Sequence, residues 1–315
     1  MKKVVFSLLS LLYVSLLNAQ ESQTSYNFLR LPISAHAAAL GGDNVTLIED
    51  DEALIFHNPA LLYSVEDKTI LLNYMNYMSG ASTASAAFNK VIKEKASVAA
   101  SAQYINYGKM KEMTADNVQV GDFSAKDIAL CGYFSYLLTN KLTGGITAKF
   151  ITSYIGEYNS IAMGVDLGLN YYDPEKDLSL GLVAKNLGGQ LKAYDDDYEP
   201  MPIDLQAGVS KRLTHTPFRF SFTLVDLNHW DYKFIKHLNF GADIILSPQI
   251  WVGAGYNFRR GNEITVLSAD GEESSHGAGF TLGGGINLDR FKLNLAYGKY
   301  HVSSSSIQVN VAFNL

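Results

Sequence analysis

The sequence contains little cysteine, no excess of positive charge and no long series of apolar spans. One cysteine in 315 residues excludes an intrachain disulfide framework and a multi-cysteine zinc or iron–sulfur site. Because 25 Lys and Arg stand against 31 Asp and Glu, the chain has no basic excess for binding nucleic acid. A mean hydropathy of +0.02 excludes a polytopic helical membrane protein, since each helical span needs roughly 20 consecutive apolar residues.

Catalytic signatures are also lacking. The sequence has no Gly-x-Ser-x-Gly elbow, no phosphate-binding Walker loop and no His-Glu-x-x-His zinc motif. We therefore expect no enzymatic activity, no cofactor and no metal. His229 and His237 flank a predicted loop, and we interpret them as solvated histidines. Cys131 has no partner cysteine, and we interpret it as a small buried residue.

The N-terminal residues 1–19 predict a secretory signal peptide. Lys2 and Lys3 precede an apolar run over residues 4–17, and Ala19 offers a cleavage point. The alternative is an uncleaved membrane anchor, for which this apolar run is short. We expect the remainder of the chain to act outside the cytoplasm.

From residue 69 onward, apolar residues recur at every second position for about ten residues, and then the pattern breaks and restarts. These segments predict fourteen strands, over residues 69–78, 82–91, 96–107, 127–138, 142–155, 160–171, 178–186, 203–213, 218–228, 237–246, 249–259, 276–288, 291–300 and 305–315. Their length is typical of a membrane barrel, because a tilted strand crosses the hydrocarbon in about 9–11 residues.

The two faces of these strands differ in chemistry. The apolar register carries almost no charge, whereas the alternate register carries small and polar residues together with Lys149, Asp166, Arg219 and Asp243. A barrel with an apolar face toward outer-membrane lipid and a polar face toward its lumen explains this difference. A soluble β-sandwich or propeller would show the same period with the faces reversed. Strand length and even strand number favour an all-β, 14-stranded antiparallel transmembrane outer-membrane barrel over residues 69–315.

The connections between predicted strands alternate in length. Brief connections follow the even-numbered strands, and long ones follow strands 3, 7, 9 and 11, at residues 108–126, 187–202, 228–236 and 260–275. Outer-membrane barrels have short periplasmic turns and longer extracellular loops. The pattern therefore predicts that these four loops are extracellular and that both termini are periplasmic.

Residues 20–68 do not alternate. They contain an Ala-rich helical candidate at residues 34–40, a double-glycine stop and an acidic run. The segment is either a hatch in the barrel lumen or a periplasmic tail, and its many apolar residues favour the luminal hatch. Within it, the turn motif Asn58, Pro59 and Ala60 predicts a tight turn, because proline restricts its own φ and the preceding residue.

The predicted loop at residues 187–202 is the best candidate for a partner contact. It combines apolar and aromatic residues with carboxylates, namely Leu191, Tyr194, Asp195, Asp196, Asp197, Tyr198, Glu199 and Met201. Aromatic anchors within a charged rim are typical of protein interfaces, although an ordinary solvated loop has a similar composition. The carboxylates could also bind Ca²⁺, but a solvated charge run is the preferred interpretation because the ligand spacing of an EF-hand is absent.

Several stretches resemble the PorQ proteins: Tyr26-Asn27-Phe28-Leu29, Ala37-Ala38-Ala39-Leu40-Gly41-Gly42, His57-Asn58-Pro59-Ala60-Leu61 and Leu71-Leu72-Asn73-Tyr74-Met75. Ala184-Lys185-Asn186-Leu187-Gly188-Gly189 resembles a motif shared among the PorV/PorQ and FadL-like barrels. The resemblance implies a fourteen-stranded FadL-like barrel with an N-terminal hatch. It also implies a role in type IX secretion, in a cell-surface attachment complex with PorU, PorV and PorZ, where the barrel holds PorZ at the outer membrane.

Two functions from different classes remain open at this point. The first is the anchor of the attachment complex, with the long loops as the partner platform. The second is a FadL-like transporter of hydrophobic small molecules, with residues 20–68 as a movable gate. The N-terminal stretches favour the anchor.

Overall fold

The computed structural model describes residues 24–78, 80–264, 266–267, 273–274, 277–301 and 304–315. The predicted signal peptide lies outside these residues. Within the described ranges, no helix is both long enough and apolar enough to cross a membrane.

Fourteen antiparallel strands form a closed barrel, as the alternating sequence predicts. Each strand pairs with its sequence neighbours, β11 pairs with β14, and β1 pairs with β16 to close the barrel. The barrel strands are β1 (Thr69–Met78), β2 (Ala81–Lys93), β3 (Ala96–Met113), β4 (Gln119–Thr139), β5 (Leu142–Ile155), β6 (Tyr158–Asp173), β7 (Leu178–Lys192), β8 (Asp204–Arg212), β9 (Phe218–Leu224), β10 (Leu238–Ser247), β11 (Ile250–Asn257), β14 (Phe280–Asn287), β15 (Phe291–His301) and β16 (Ser304–Asn314). Two short strands, β12 (Val266–Leu267) and β13 (Glu273–Ser274), pair with each other outside the barrel.

The apolar register faces outward and the polar register faces the lumen. In β1, Ile70, Leu72 and Tyr74 are exposed, whereas Leu71 and Asn73 between them are buried. Because side chains alternate with a period of two, this register leaves a continuous apolar band on the outer surface. The predicted assignment of the two faces is confirmed.

Two predicted loops are partly or largely strand. β3 and β4 continue past the barrel wall as a two-stranded ribbon, and the predicted loop at 108–126 is reduced to a turn at 114–118. The alternation breaks here because the β3–β4 register shifts after Asn106 and after Glu112, but the two strands remain paired. We call residues 107–124 the β3–β4 ribbon.

The predicted loop at residues 187–202 also begins later than expected, because β7 runs to Lys192. Asn186 adopts a φ of 59°, and its N–H donates to Asp166 Oδ1 at 2.7 Å. The register shifts at this point, and the ladder then resumes along β6. A bulge at Asn186 therefore interrupts the pattern without ending the strand.

The remaining long connections contain short helices. Between β9 and β10 a 3₁₀-helix spans Phe234–His237. After β11, helix α2 spans Phe258–Glu263. Its N-cap is Asn257, whose side chain accepts a hydrogen bond from Arg260 N–H at 2.8 Å.

Residues 24–68, hereafter the luminal segment, lie inside the barrel. Helix α1 (Ala35–Ala39) contacts β11 and β14 to β16, whereas the 3₁₀-helix at Pro59–Ser64 contacts β3 to β6 on another part of the wall. The elements of the segment are α1 (Ala35–Ala39) and 3₁₀-helices at Asn27–Arg30, Glu52–Phe56 and Pro59–Ser64.

Helix α1 begins and ends where its sequence predicts. The Ser34 side chain accepts a hydrogen bond from Ala37 N–H at 3.2 Å and caps the N-terminus. Gly41 and Gly42 then follow with φ values of 105° and 110°, which other residues rarely adopt, and the helix ends.

The apolar core lies between the luminal segment and the inner wall. Leu54, Leu61 and Leu62 of the segment are at most 1% exposed, as are the inward-facing Ile105 and Ile151 of the wall. Burying one such side chain stabilises the fold by about 1.5–3 kcal/mol. Leu62 packs in one hydrophobic cluster with Ile105 and Ile151, so the luminal segment and the barrel wall share a core.

Candidate functional site

The turn motif Asn58-Pro59-Ala60 fastens the luminal segment against β5 and β6. The Asn58 side chain accepts from Ala60 N–H at 3.0 Å and donates to Val45 O at 2.9 Å and Leu169 O at 3.3 Å. Pro59 begins a 3₁₀-helix, where its missing N–H costs no hydrogen bond.

Two wall glycines make this close approach sterically feasible. A Cβ placed on Gly145 would overlap the backbone of Pro59, and one on Gly168 would overlap the Asn58 side chain. Glycine is the residue that lets another backbone come this near to a strand.

A cluster of four charged side chains holds helix α1 against the opposite wall. His36 Nε2 lies 2.9 Å from Asp243 Oδ1, and His36 Nδ1 lies 2.8 Å from Glu49 Oε2. Arg219 Nη1 lies 2.6 Å from Glu49 Oε1, and Arg219 Nη2 lies 2.8 Å from Asp243 Oδ2. Burial lowers the pKa of His36, but the carboxylates of Glu49 and Asp243 outweigh this effect and raise the pKa to about 9. His36 is therefore cationic at neutral pH.

Further ion pairs connect the luminal segment to the barrel. Lys292 of β15 pairs with Asp50. Near the other end of the lumen, Arg30 Nη1 lies 2.7 Å from Asp226 Oδ1. Displacing the segment would break both pairs and leave Lys292 without its counter-charge, whereas Asp226 would keep its pair with Arg259, so the pairs oppose displacement.

The acidic run at residues 49–52 includes one carboxyl group that is uncharged at neutral pH, that of Glu52. Glu52 is fully buried, and neither of its carboxyl oxygens has a hydrogen-bond partner among the described residues. Burial, together with the nearby charge of Asp51, raises the pKa of Glu52 to about 8. Glu52 is therefore mainly protonated at neutral pH, which sequence reasoning did not anticipate because it treated the run as a unit.

Two cavities lie at opposite ends of the lumen and share no lining residue. The larger, of about 640 Å³, lies at the end that carries the long connections and is lined by charged side chains including Arg30, Arg259, Asp43 and Asp226. The smaller, of about 330 Å³, lies at the end with the short turns. We call the end with the long connections the rim.

The predicted partner loop lies at the rim, but part of it folds inward. Met201 is 3% exposed and packs in the core, so its prediction as a surface anchor is wrong. Tyr194 is half-buried, and its hydroxyl donates to Ser153. Glu199 accepts from Ser25 of the luminal segment. The loop therefore helps to close the lumen.

The other members of that loop face solvent. Leu191 lies on the extended β7 rather than in the loop and is 59% exposed, and Tyr198 is 65% exposed. Asp195, Asp196 and Asp197 are exposed. No cluster of metal-ligating side chains occurs in the part of the chain that the structure describes.

Sequence reasoning missed the largest exposed aromatics of the rim. Trp230 and Phe234, in the connection between β9 and β10, are 72% and 66% exposed. Their position in a long predicted loop was a usable signal, because aromatic residues are disfavoured on a free surface and enriched in interfaces.

The histidine interpretation for this connection was wrong for His237. The residue is 2% exposed, and its Nδ1 lies 2.7 Å from Val225 O. Val225 N–H donates to His237 O at 2.8 Å, so the two ends of the connection continue the hairpin and enclose the ring. His229 is half-buried beside the larger cavity, and Cys131 is buried as expected.

The overall structure is similar to several solved transport proteins. The Pseudomonas putida toluene transporter TodX has a TM-score of 0.57 at 15% identity, covering 90% of this chain and 97% of that chain. A Pseudomonas aeruginosa FadL homologue has a TM-score of 0.57 at 9% identity, covering 89% and 98%. The monoaromatic hydrocarbon channel CymD has a TM-score of 0.58 at 12% identity, covering 91% and 97%. At these identities the likeness establishes a FadL-like fold.

A comparison with curated protein sequences gives no match. Residues 128–311 match the model of the family described as type IX secretion system membrane protein PorP/SprF, and they make up more than half of the chain. With its closed barrel and outward apolar band, the chain belongs to the PorP/SprF family of type IX secretion system membrane proteins and is a barrel of the outer membrane.

Proposed function

We propose that this barrel anchors the cell-surface attachment complex of type IX secretion, in the manner of the PorQ proteins, and retains PorZ together with PorU and PorV. The proposal rests on what occupies the barrel lumen. A segment held by ion pairs and a shared apolar core occupies it, which suits a scaffold better than a conduit.

The resemblance to PorQ proteins supports the anchoring role at particular residues. Its N-terminal stretches coincide with the parts of the luminal segment that fasten it: helix α1 with its double-glycine end, and the Asn58-Pro59-Ala60 turn. These stretches fill the barrel lumen, and the proposed partner contacts lie at the rim. We infer that the rim faces the cell exterior and that both termini are periplasmic, because the long connections lie at the rim.

The rim supplies a suitable interface. Trp230 and Phe234 are aromatic anchors, and Tyr198 with the carboxylates of its loop forms a second patch. Large aromatic side chains contribute most of the binding energy of typical interfaces when a partner buries them.

Transport of hydrophobic small molecules is the second candidate, supported by the likeness of the fold to TodX and CymD. Charged side chains line both cavities, whereas sites for apolar ligands are mostly apolar. Transport would also require the luminal segment to leave its ion pairs and its core.

A double variant Trp230→Ser/Phe234→Ser tests the anchor. We expect PorZ to be released into the medium while the barrel remains inserted, because the aromatic anchors are lost without any change in the lumen. A matched control is Phe218→Ser, which removes an exposed aromatic residue from the wall rather than from the rim. Retention of PorZ in a strain that lacks the whole barrel would refute anchoring, and loss of growth on a hydrophobic nutrient would then favour transport.

A further inference from the structure

The β3–β4 ribbon projects beyond the wall, where the outer edges of both strands are free, and the edge of β3 carries two lysines. The last pair between β2 and β3 is Ser82 with Asn106, whereas β3 and β4 stay paired as far as Met113 with Gln119. Among the described residues, nothing pairs with Lys109 to Met113 on the side away from β4. The backbone groups on that side are therefore open to another strand.

The hydrogen-bond pattern identifies which backbone groups point outward. Gly156 N–H donates to Ser124 O at 3.0 Å, so the peptide groups of Ser124 face away from β3. Lys109 lies directly opposite Ser124, and in an antiparallel ladder both members of such a pair point their peptide groups away from each other. Two residues further on, Lys111 opposite Asp122 has the same orientation.

The side chains along this edge include two lysines, and Asp122 of β4 lies opposite one of them, Lys111, on the same face. Lys109 and Lys111 are exposed and, two residues apart, share one face of the ribbon. Neither forms a salt bridge within the described part of the chain. Lysines on an edge strand discourage indiscriminate pairing, and a strand with acidic side chains at alternate positions would neutralise them.

We propose that the β3 edge of the ribbon binds an extended segment of a partner protein as an added strand, with acidic side chains of that segment opposite Lys109 and Lys111. The proposal rests on the anchoring function and names the chemistry of one contact. Main-chain hydrogen bonds along the edge supply affinity, and the two lysines select an acidic sequence. The contact is separate from the aromatic anchors at Trp230 and Phe234.

Proline substitution in the full-length barrel in its native membrane tests the edge. Lys111→Pro removes an outward N–H of β3, and Asp122→Pro removes the equivalent outward N–H of β4. Since neither N–H takes part in the β3–β4 ladder, the two variants disturb the ribbon to a similar degree. We expect Lys111→Pro to lower the amount of retained surface protein by about tenfold, and Asp122→Pro to leave retention unchanged.

A charge variant tests the chemistry without touching the backbone. Lys109→Glu/Lys111→Glu should release the partner to a similar extent, and a photo-crosslinker attached to Lys109→Cys should capture it. Equal release by the two proline variants, or full retention by the glutamate variant, would overturn the edge proposal while the anchor stands. A crosslink to a second copy of the barrel would also overturn it. Retention without any barrel would instead overturn the anchoring function.

Discussion

The His36 ring lies flat on the Trp251 indole, with ring centroids 3.5 Å apart and an interplanar angle of 8°. The stack joins helix α1 of the luminal segment to β11 of the wall. It also places the cationic imidazole on an aromatic face, between Glu49 and Asp243. One histidine therefore combines an aromatic stack and two ion pairs in the attachment of the segment.

This arrangement predicts a pH-dependent attachment. Because the pKa of His36 is raised from 6.5 to about 9 in the fold, its stabilisation is complete below the unfolded value and is lost as pH rises through about 9. The expected decrease in the free energy of unfolding is on the order of 3 kcal/mol. Trp251 fluorescence in a Trp230→Phe background, together with proteolysis of the luminal segment, should report the loosening.

His36→Gln is the control for this transition. The variant cannot take up the proton, so in a Glu52→Gln background, which removes the other luminal group that titrates in this range, we expect a weaker attachment that no longer changes between neutral and alkaline pH. An unchanged alkaline transition in His36→Gln would assign the effect to another group.

The wall glycines predict a steric test of the fit between segment and barrel. Gly145→Ala or Gly168→Ala should destabilise the protein by about 1–3 kcal/mol, because the new methyl group overlaps the Asn58-Pro59 turn. Gly132→Ala is the matched control, since a Cβ there meets no atom within 4 Å. Thermal unfolding in detergent measures the difference, and equal unfolding temperatures for Gly145→Ala and Gly132→Ala would contradict the close contact.

The outward-facing register predicts that a charged substitution destabilises the inserted barrel most near the middle of the bilayer. Leu282→Arg or Val165→Arg should destabilise the inserted barrel by about 2–4 kcal/mol, because each side chain projects outward from the middle of a strand. Thr281 faces inward, and its hydroxyl donates to Ala39 O at 2.7 Å, so Thr281→Arg should act by displacing helix α1. Equilibrium refolding into lipid vesicles separates the two effects. Normal insertion of Leu282→Arg and Val165→Arg would reverse the assignment of faces.

We predict that removal of the luminal segment produces a barrel that conducts ions. Deleting residues 24–67 should leave strands that insert, with an open lumen in place of the two separate cavities. Planar-bilayer recordings measure the conductance, and a variant no leakier than the full chain would mean that the segment does not block passage. The intact chain with Glu52→Gln serves as a control, because it keeps a neutral group at the same buried position.

The alternating sequence by itself determined the barrel. A period of two repeated from residue 69 sorts apolar and polar side chains onto opposite faces, and this requires no distant contact to be recognised. Ser34 and the double glycine likewise determined the ends of helix α1, since capping and positive φ are local properties.

Only the tertiary structure decided where strands end and which rim residues are exposed. Asn186 breaks the alternation, yet pairing with Asp166 across a bulge carries β7 on to Lys192. Met201 lies in a predicted surface loop, where an apolar side chain suggests a partner contact, but it is buried in the core. Trp230, also in a predicted loop, remains exposed. The protonation of His36 and Glu52 depends on side chains brought together by folding. Bulges, burial and charge neighbours arise from long-range contacts, and local sequence does not encode them in any single segment.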